Sequence, residues 1–167
     1  MSVTEAKIEE LIDREEILAQ IRNYARSVDR LDHALGKGVF HPEAPADYGP
    51  MFQGTGWEFI DWCLASHLHL ESHSHQFSNI SIWIEGERAR SETYGDVTVR
   101  SRDADGTPHV MRNLGRYIDL WEKRGGAWRI SHRRYVHEFD YGGPVAEAMY
   151  GMTGRRDRED ASYFGEG

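Results

Sequence analysis

Four of the chain's nine histidines fall in one stretch, SHLHLESHSHQF: His67, His69, His73 and His75. Imidazole can ligate a metal, or it can take and give protons near neutral pH. Along a strand, His73 and His75 would point the same way, as a metal-binding pair must. A zinc or iron site also needs a third protein ligand, usually another His or a carboxylate. Here the first acid after the pair is Glu85, ten residues beyond His75, so no metal is expected. His67 and His69 sit at the end of a helical pattern, where i and i+2 side chains diverge, and read as helix-end residues without chemistry. His73 would share a face with His75, with no role assigned. Acid–base work by one of these histidines needs a carboxylate partner in an apolar setting, and Asp29 is a candidate. It follows Ile21 and Ala25 at the margin of an apolar helical face. A carboxylate near a helix C-terminus is opposed by the helix dipole, so a compensating partner is expected.

The elements that must position these groups follow from periodicity. Ser2 with Glu5 fits a capping box, and Ile8, Leu11, Ile12, Leu18, Ile21, Ala25 and Val28 keep helical spacing to about Asp29. Asp32 suits the N-cap of a short second helix, DHALGKGVF. HPEAPADYGPMFQGTG reads as loop, and WEFIDWCLASHLHL as a third helix. Then the period changes: Ile80, Ile82 and Ile84 alternate with Asn79, Ser81 and Trp83, and EGER turns the chain. ARSETYGDVTVRSR, HVMRNLGRYIDLWEKR and AWRISHRRYVHEFDY read as three further strands, joined by hairpin signals at DADG and GG. Helices first and antiparallel strands afterwards predict an α+β domain over residues 1–145, with helices on one face of a curved sheet. Residues 146–167 form a tail that begins helix-like. Met149, Tyr150, Tyr163 and Phe164 suggest a flap over the domain or an arm onto its neighbour; a loose terminus is the alternative.

Composition narrows the partners. A chain of 167 residues, 39% of them hydrophobic, suits one core. A net charge of −8 argues against non-specific nucleic acid binding. No apolar run approaches the roughly 20 residues that span a bilayer, so no membrane partner is expected. The acidic, helix-patterned start is unlike a signal or transit peptide, which makes the cytoplasm the expected compartment. Cys63, the single cysteine, excludes an internal disulfide and a Cys-based zinc site, and is expected to be buried and inert. Trp57, Phe59, Trp62, Trp83, Tyr94 and Trp121 would line an apolar pocket, though as ordinary core they would look the same. Asn79 is expected to satisfy a backbone group next to His75.

Four segments, LIDREEILAQIRNYARSVDRLD, VFHPEAPADYG, SHSHQFSNISIWIEGERARSETY and GRYIDLWEKRGGAWRISHRR, occur in an order that resembles the SnoaL-like branch of the nuclear transport factor 2-like superfamily. The resemblance covers roughly residues 5–140. It implies a cone-shaped α+β barrel: a strongly curved mixed, mostly antiparallel sheet wrapped around N-terminal helices and enclosing a pocket. It also implies a dimer or trimer formed through the outer sheet surface. Members resembling this chain include scytalone dehydratase, hexachlorocyclohexane dehydrochlorinase and bile-acid 7α-dehydratase. In such enzymes an Asp ending the long helix pairs with a His opening a strand, which implies Asp29 and His75. The bile-acid dehydratase pattern adds a Tyr five residues before that Asp, matched by Tyr24. It also adds a Tyr in the loop after the second helix, matched by Tyr48, and an Arg late in the last strand, matched by Arg133. Arg134 is the alternative, since a one-residue slip changes the face. Two features depart from the relatives. The dehydrochlorinase has a Lys at the position of Tyr24, and a second pocket histidine of the scytalone type would have to be His109, His132 or His137.

The expected function is that of a cofactor-independent lyase. It would dehydrate a small apolar or cyclic, polyketide- or steroid-like molecule through Asp29 and His75. The alternatives are a non-catalytic binding or assembly domain, or an isomerase or cyclase that uses Asp29 as base.

Overall fold

The computed structural model describes residues 3–164. Ser2 lies outside them, so the capping box read at the N-terminus does too. Helix α1, Val3–Asp29, buries Ile17, Ile21, Tyr24 and Val28 at spacings of three and four, while Ile8, Leu11 and Ile12 extend the same stripe but remain exposed. After Asp29 the chain reverses through Leu31, which adopts φ 53°. Asp32 then caps α2, His33–Gly38, by accepting a hydrogen bond from the Leu35 amide at 2.9 Å.

The segment expected to be loop carries two short strands, β1 at Pro45–Asp47 and β2 at Gln53–Thr55. Three residues are too few to display a period of two, which is why the Pro/Gly-rich composition hid them. Helix α3, Gly56–Ser66, opens with a capping box between Thr55 and Glu58. It stops four residues before the expected end, because the His67 amide bonds back to the Cys63 and Leu64 carbonyls and the chain turns there.

Four long strands complete the domain: β3 Ser72–Glu85, β4 Arg88–Arg102, β5 Pro108–Arg124 and β6 Ala127–Pro144. With the short pair they form one curved, open, mixed sheet in the order β2-β1-β6-β5-β4-β3, in which only β1 and β6 pair in parallel. A bulge between Ser78 and Ser81 on β3 shifts the side-chain phase. Above it His73, His75 and Phe77 face inward; below it Ile80, Ile82 and Ile84 do. Asn79 takes φ 46° at this bulge, a conformation Asn tolerates better than most residues. Its side chain is exposed, so its part is conformational and not the expected contact beside His75.

Gly95 on β4 and Gly115 on β5 are directly opposite. A Cβ on Gly95 would come within 2.6 Å of Tyr117 Cε2, and one on Gly115 within 2.3 Å of the Tyr135 hydroxyl oxygen. The bare backbone here leaves room for two aromatic rings to lie across the inner face.

The core fills the space between α1, α3 and the sheet, with Phe40, Ile60, Trp121, Trp128 and Ile130 almost wholly buried. Trp121 belongs to this core and not to a pocket wall, its indole N–H donating to Ser91 Oγ at 2.9 Å. Among the described residues past Pro144 there is no α-helix, only a 3-10 turn at Ala161–Tyr163, and Met149, Tyr150 and Phe164 are exposed. Among the described residues no helix is long and apolar enough to cross a membrane.

Candidate active site

Asp29 is the last residue of α1, and β3 passes its end as the outer strand of the sheet. An outer strand leaves alternate amides without a ladder partner. The His75 amide is one of these, and it donates to both Asp29 oxygens at 3.1 Å. The His75 ring follows, with Nδ1 at 2.8 Å from Asp29 Oδ1. A carboxylate only accepts, so Nδ1 carries the proton and Nε2 of the neutral ring keeps its lone pair. The His75 side chain is 5% exposed and that of Asp29 19%, so water competes little for the pair.

His73, two residues earlier on the same face, closes the helix end in a different way. Its Nε2–H donates to the Val28 carbonyl at 2.7 Å, one of the last helix carbonyls that lack a partner within the helix. The ring is fully buried, and burial pushes its pKa down, so it caps as a neutral group.

His67 lies at the end of α3, as expected, and both His67 and His69 also line the cavity that contains His75. Because α3 ends at Ser66, the helical divergence of i and i+2 no longer applies to them. The His67 ring centroid lies 4.9 Å from that of His73 and 6.4 Å from that of His75. Burial pushes its pKa down to about 4. Its Nδ1 is buried with no hydrogen-bond partner among the described residues. The H-x-H repeat was the visible signal; the early end of the helix was not.

Two tyrosine hydroxyls form the second polar group. Tyr24 from α1 and Tyr48 from the turn after β1 meet at 3.0 Å, and the Tyr48 ring is fixed by stacking on Phe59 at 3.7 Å. Behind them lies Arg133, whose Nη1 approaches the Tyr48 oxygen at 3.5 Å and whose guanidinium covers the Tyr24 ring at 4.2 Å. Burial pushes the Tyr48 hydroxyl up to about 12 and Tyr24 well above its ordinary value, so both are donors at neutral pH. The choice between the two arginines is settled by register: Arg133 points inward, and Arg134 stays at the surface 3.4 Å from Asp47.

Asp119 is the site-supporting residue that the sequence reading missed. It pairs across the sheet with Arg133 and receives both of its other donors at 2.7 Å, with each side chain almost wholly buried. Arg133 is therefore charge-matched and sits behind the tyrosines, not in the cavity wall. It supports Tyr48 instead of facing a ligand directly. The inward phase of Tyr117, Asp119 and Trp121 was the available signal for Asp119.

These groups surround a cavity of about 640 Å³. Of the expected residues, Tyr24, Tyr48, Phe59, Trp62 and His75 line it, and Cys63, Tyr117, Tyr135, Asn113, His137 and Asp140 join them. Burial holds the Cys63 thiol protonated, with its pKa pushed up to about 12. Besides Trp121, three expected aromatics lie elsewhere. Trp57 sits at the start of α3 and donates to the Lys37 carbonyl. Trp83, past the bulge, stacks on Arg90 at 3.8 Å on the outer face. Tyr94 alternates outward from β4 and is exposed. Among the described residues no group of three or more His, Cys, Asp or Glu is arranged to hold a metal ion.

A sequence model of the SnoaL-like domain matches residues 9–134, and the chain belongs to that family. No curated protein matches the chain in sequence. Solved structures share the fold. A candidate scytalone dehydratase from Novosphingobium aromaticivorans is 20% identical, with 87% of this chain and 96% of that one covered at a TM-score of 0.69. A hexachlorocyclohexane dehydrochlorinase, LinA type 2, is 16% identical, with 89% and 99% covered at 0.70. A nuclear transport factor 2-like superfamily protein from Salmonella enterica is 25% identical, with 81% and 93% covered at 0.63. The fold is thus the nuclear transport factor 2-like α+β fold.

Proposed function

We propose that the protein is a cofactor-independent lyase that dehydrates a small cyclic, polyketide- or steroid-like molecule in this cavity. The observation that carries the reading is the 2.8 Å bond from His75 Nδ1 to Asp29, made at the cavity wall. With Nδ1 donating to Asp29, Nε2 of the ring keeps its lone pair, and Asp29 holds the same residue's amide as well as its ring.

In the proposed reaction Nε2 takes a proton from the carbon next to a carbonyl, and Asp29 stabilises the imidazolium that forms. The C–H electron pair becomes the new carbon–carbon double bond as the carbon–oxygen bond to the leaving hydroxyl breaks. His75 then returns its proton to that hydroxyl, which departs as water. Negative charge developing on the carbonyl oxygen is met by the Tyr24–Tyr48 hydroxyl pair, backed by the Arg133 charge. Positioned acid–base catalysis of this kind is worth about 10²–10⁴-fold. The outer sheet face, which exposes Trp83, Tyr94 and Leu120, is the proposed contact of a cytoplasmic homodimer or homotrimer.

The test is turnover of cyclic β-hydroxy-ketones by the pure protein and by His75→Ala. Loss of water with formation of the conjugated enone, reduced in the variant, is expected. Equal rates for the two proteins, or no turnover across the panel, would overturn the reading.

A further inference from the structure

Among the described residues none past Asp140 lines the cavity, yet the C-terminal segment grips its wall. Arg156 donates from Nη1 to the His67 carbonyl at 2.8 Å and from Nη2 to the Leu70 carbonyl at 2.6 Å. These two carbonyls bracket the turn that brings His67, His69 and Leu70 to the cavity. The segment is itself anchored. Asp160, buried, accepts from the Arg155 and Ser162 amides at 2.8 and 3.0 Å, and its Oδ1 lies 3.3 Å from Arg30 Nε just past α1. Tyr163 adds a contact under the Arg26 guanidinium at 4.8 Å.

We propose that residues 155–163 are a strap, with Arg156 a positioning residue that keeps the His67 ring in the cavity wall beside His75, and with Asp160 its anchor. Within the turn at 66–70 the His67, Leu68 and Leu70 amides bond back to the preceding residues, Ser66 Oγ donates to the Cys63 carbonyl, and the Glu71 amide donates to the Arg100 carbonyl just beyond it, so the turn is held as one unit. Two bonds from a planar guanidinium fix both ends of that unit at once, which a single-point contact cannot do. The ionisable groups that face His67 are His73 and His75 from β3, Cys63 from α3, His69 from the turn itself and Arg156 from the strap. A role for His67 in turnover rests on the Asp29–His75 reading; its placement by the strap does not.

The test is an NMR titration of the His67 ring in the full chain, compared with Arg156→Ala, Arg156→Lys and Asp160→Ala. In the native protein the ring is expected to stay neutral down to about pH 4. In Arg156→Ala and Asp160→Ala it is expected to move towards the free-histidine value of about 6.5, a gain in proton affinity of up to roughly three-hundredfold. Lys, which reaches one carbonyl at a time, should recover part of the shift. If both Ala variants keep native circular dichroism and an unchanged His67 titration, the strap does not position the ring. Should Arg156→Ala fail to fold, Asp160→Ala, which leaves Arg156 in place, decides the matter by the same criterion. Turnover is not read, so failure here leaves the lyase reading standing.

Discussion

Asp29 holds His75 twice, by the ring Nδ1 at 2.8 Å and by the backbone amide at 3.1 Å. One carboxylate thereby both completes the hydrogen bonding of an outer strand and sets the tautomer of the imidazole that strand carries. The two effects separate on substitution. Asp29→Ala leaves the buried amide unpaired and should cost about 1–3 kcal/mol of stability. Asp29→Asn keeps an oxygen for the amide and should cost less, yet should lower turnover by about 10²–10⁴-fold, because the tautomer is no longer enforced. Urea unfolding and steady-state kinetics on the two variants distinguish the roles.

Tyr48→Phe removes the hydroxyl shared by Tyr24 and Arg133 while keeping the ring that stacks on Phe59. A lost transition-state donor of this type is expected to lower kcat by about 10²-fold, with KM little changed. Kinetics on the variant, with a melting curve to verify the fold, provide the check.

The Arg133–Asp119 pair is buried on both sides, so either charge alone is worse than none. Arg133→Met and Asp119→Leu should each cost about 3–5 kcal/mol, and the double substitution less than the sum of the two. A double-mutant cycle by equilibrium unfolding measures the difference.

The pH dependence of stability carries the mark of His67. Its pKa lies near 4 in the folded protein because burial disfavours the charged ring, whereas an unfolded chain takes up the proton at about 6.5. Between those values the unfolded state binds more protons, so stability falls as the pH drops from about 6.5 towards 4. His73, also held neutral by burial, acts in the same direction. Unfolding curves at several pH values in this window should show the slope, and His67→Gln should reduce it.

Local signals were readable where the causes are local. The Asp32 cap, the four long strands and the helical face of α1 follow from spacing alone, whereas the Asp29–His75 pairing came from the family resemblance, the helix-end carboxylate by itself being a weak signal. What stayed hidden depends on relations between distant segments. Asp119 acquires its role from cross-strand register with Arg133, fourteen positions away in sequence. Trp83 faces outward because one bulge at Asn79 changed the phase of its strand. His67 entered the site because its helix ended early, a matter of a few competing hydrogen bonds in the last turn.

The facing glycines of β4 and β5 bear on ligand choice. Tyr117 and Tyr135 rest where two side chains would otherwise stand, and both rings are part of the cavity wall. The gauge of molecule that this wall admits is accordingly set by two absent methyl groups. A side chain at Gly95 would displace Tyr117, and one at Gly115 would press on Tyr135 and the Val136 carbonyl; because Tyr117 packs on Tyr24 and Tyr135 on Tyr48, the hydroxyl pair would feel either change. The width of the chamber and the placing of the Tyr24–Tyr48 pair are therefore linked through the same two rings.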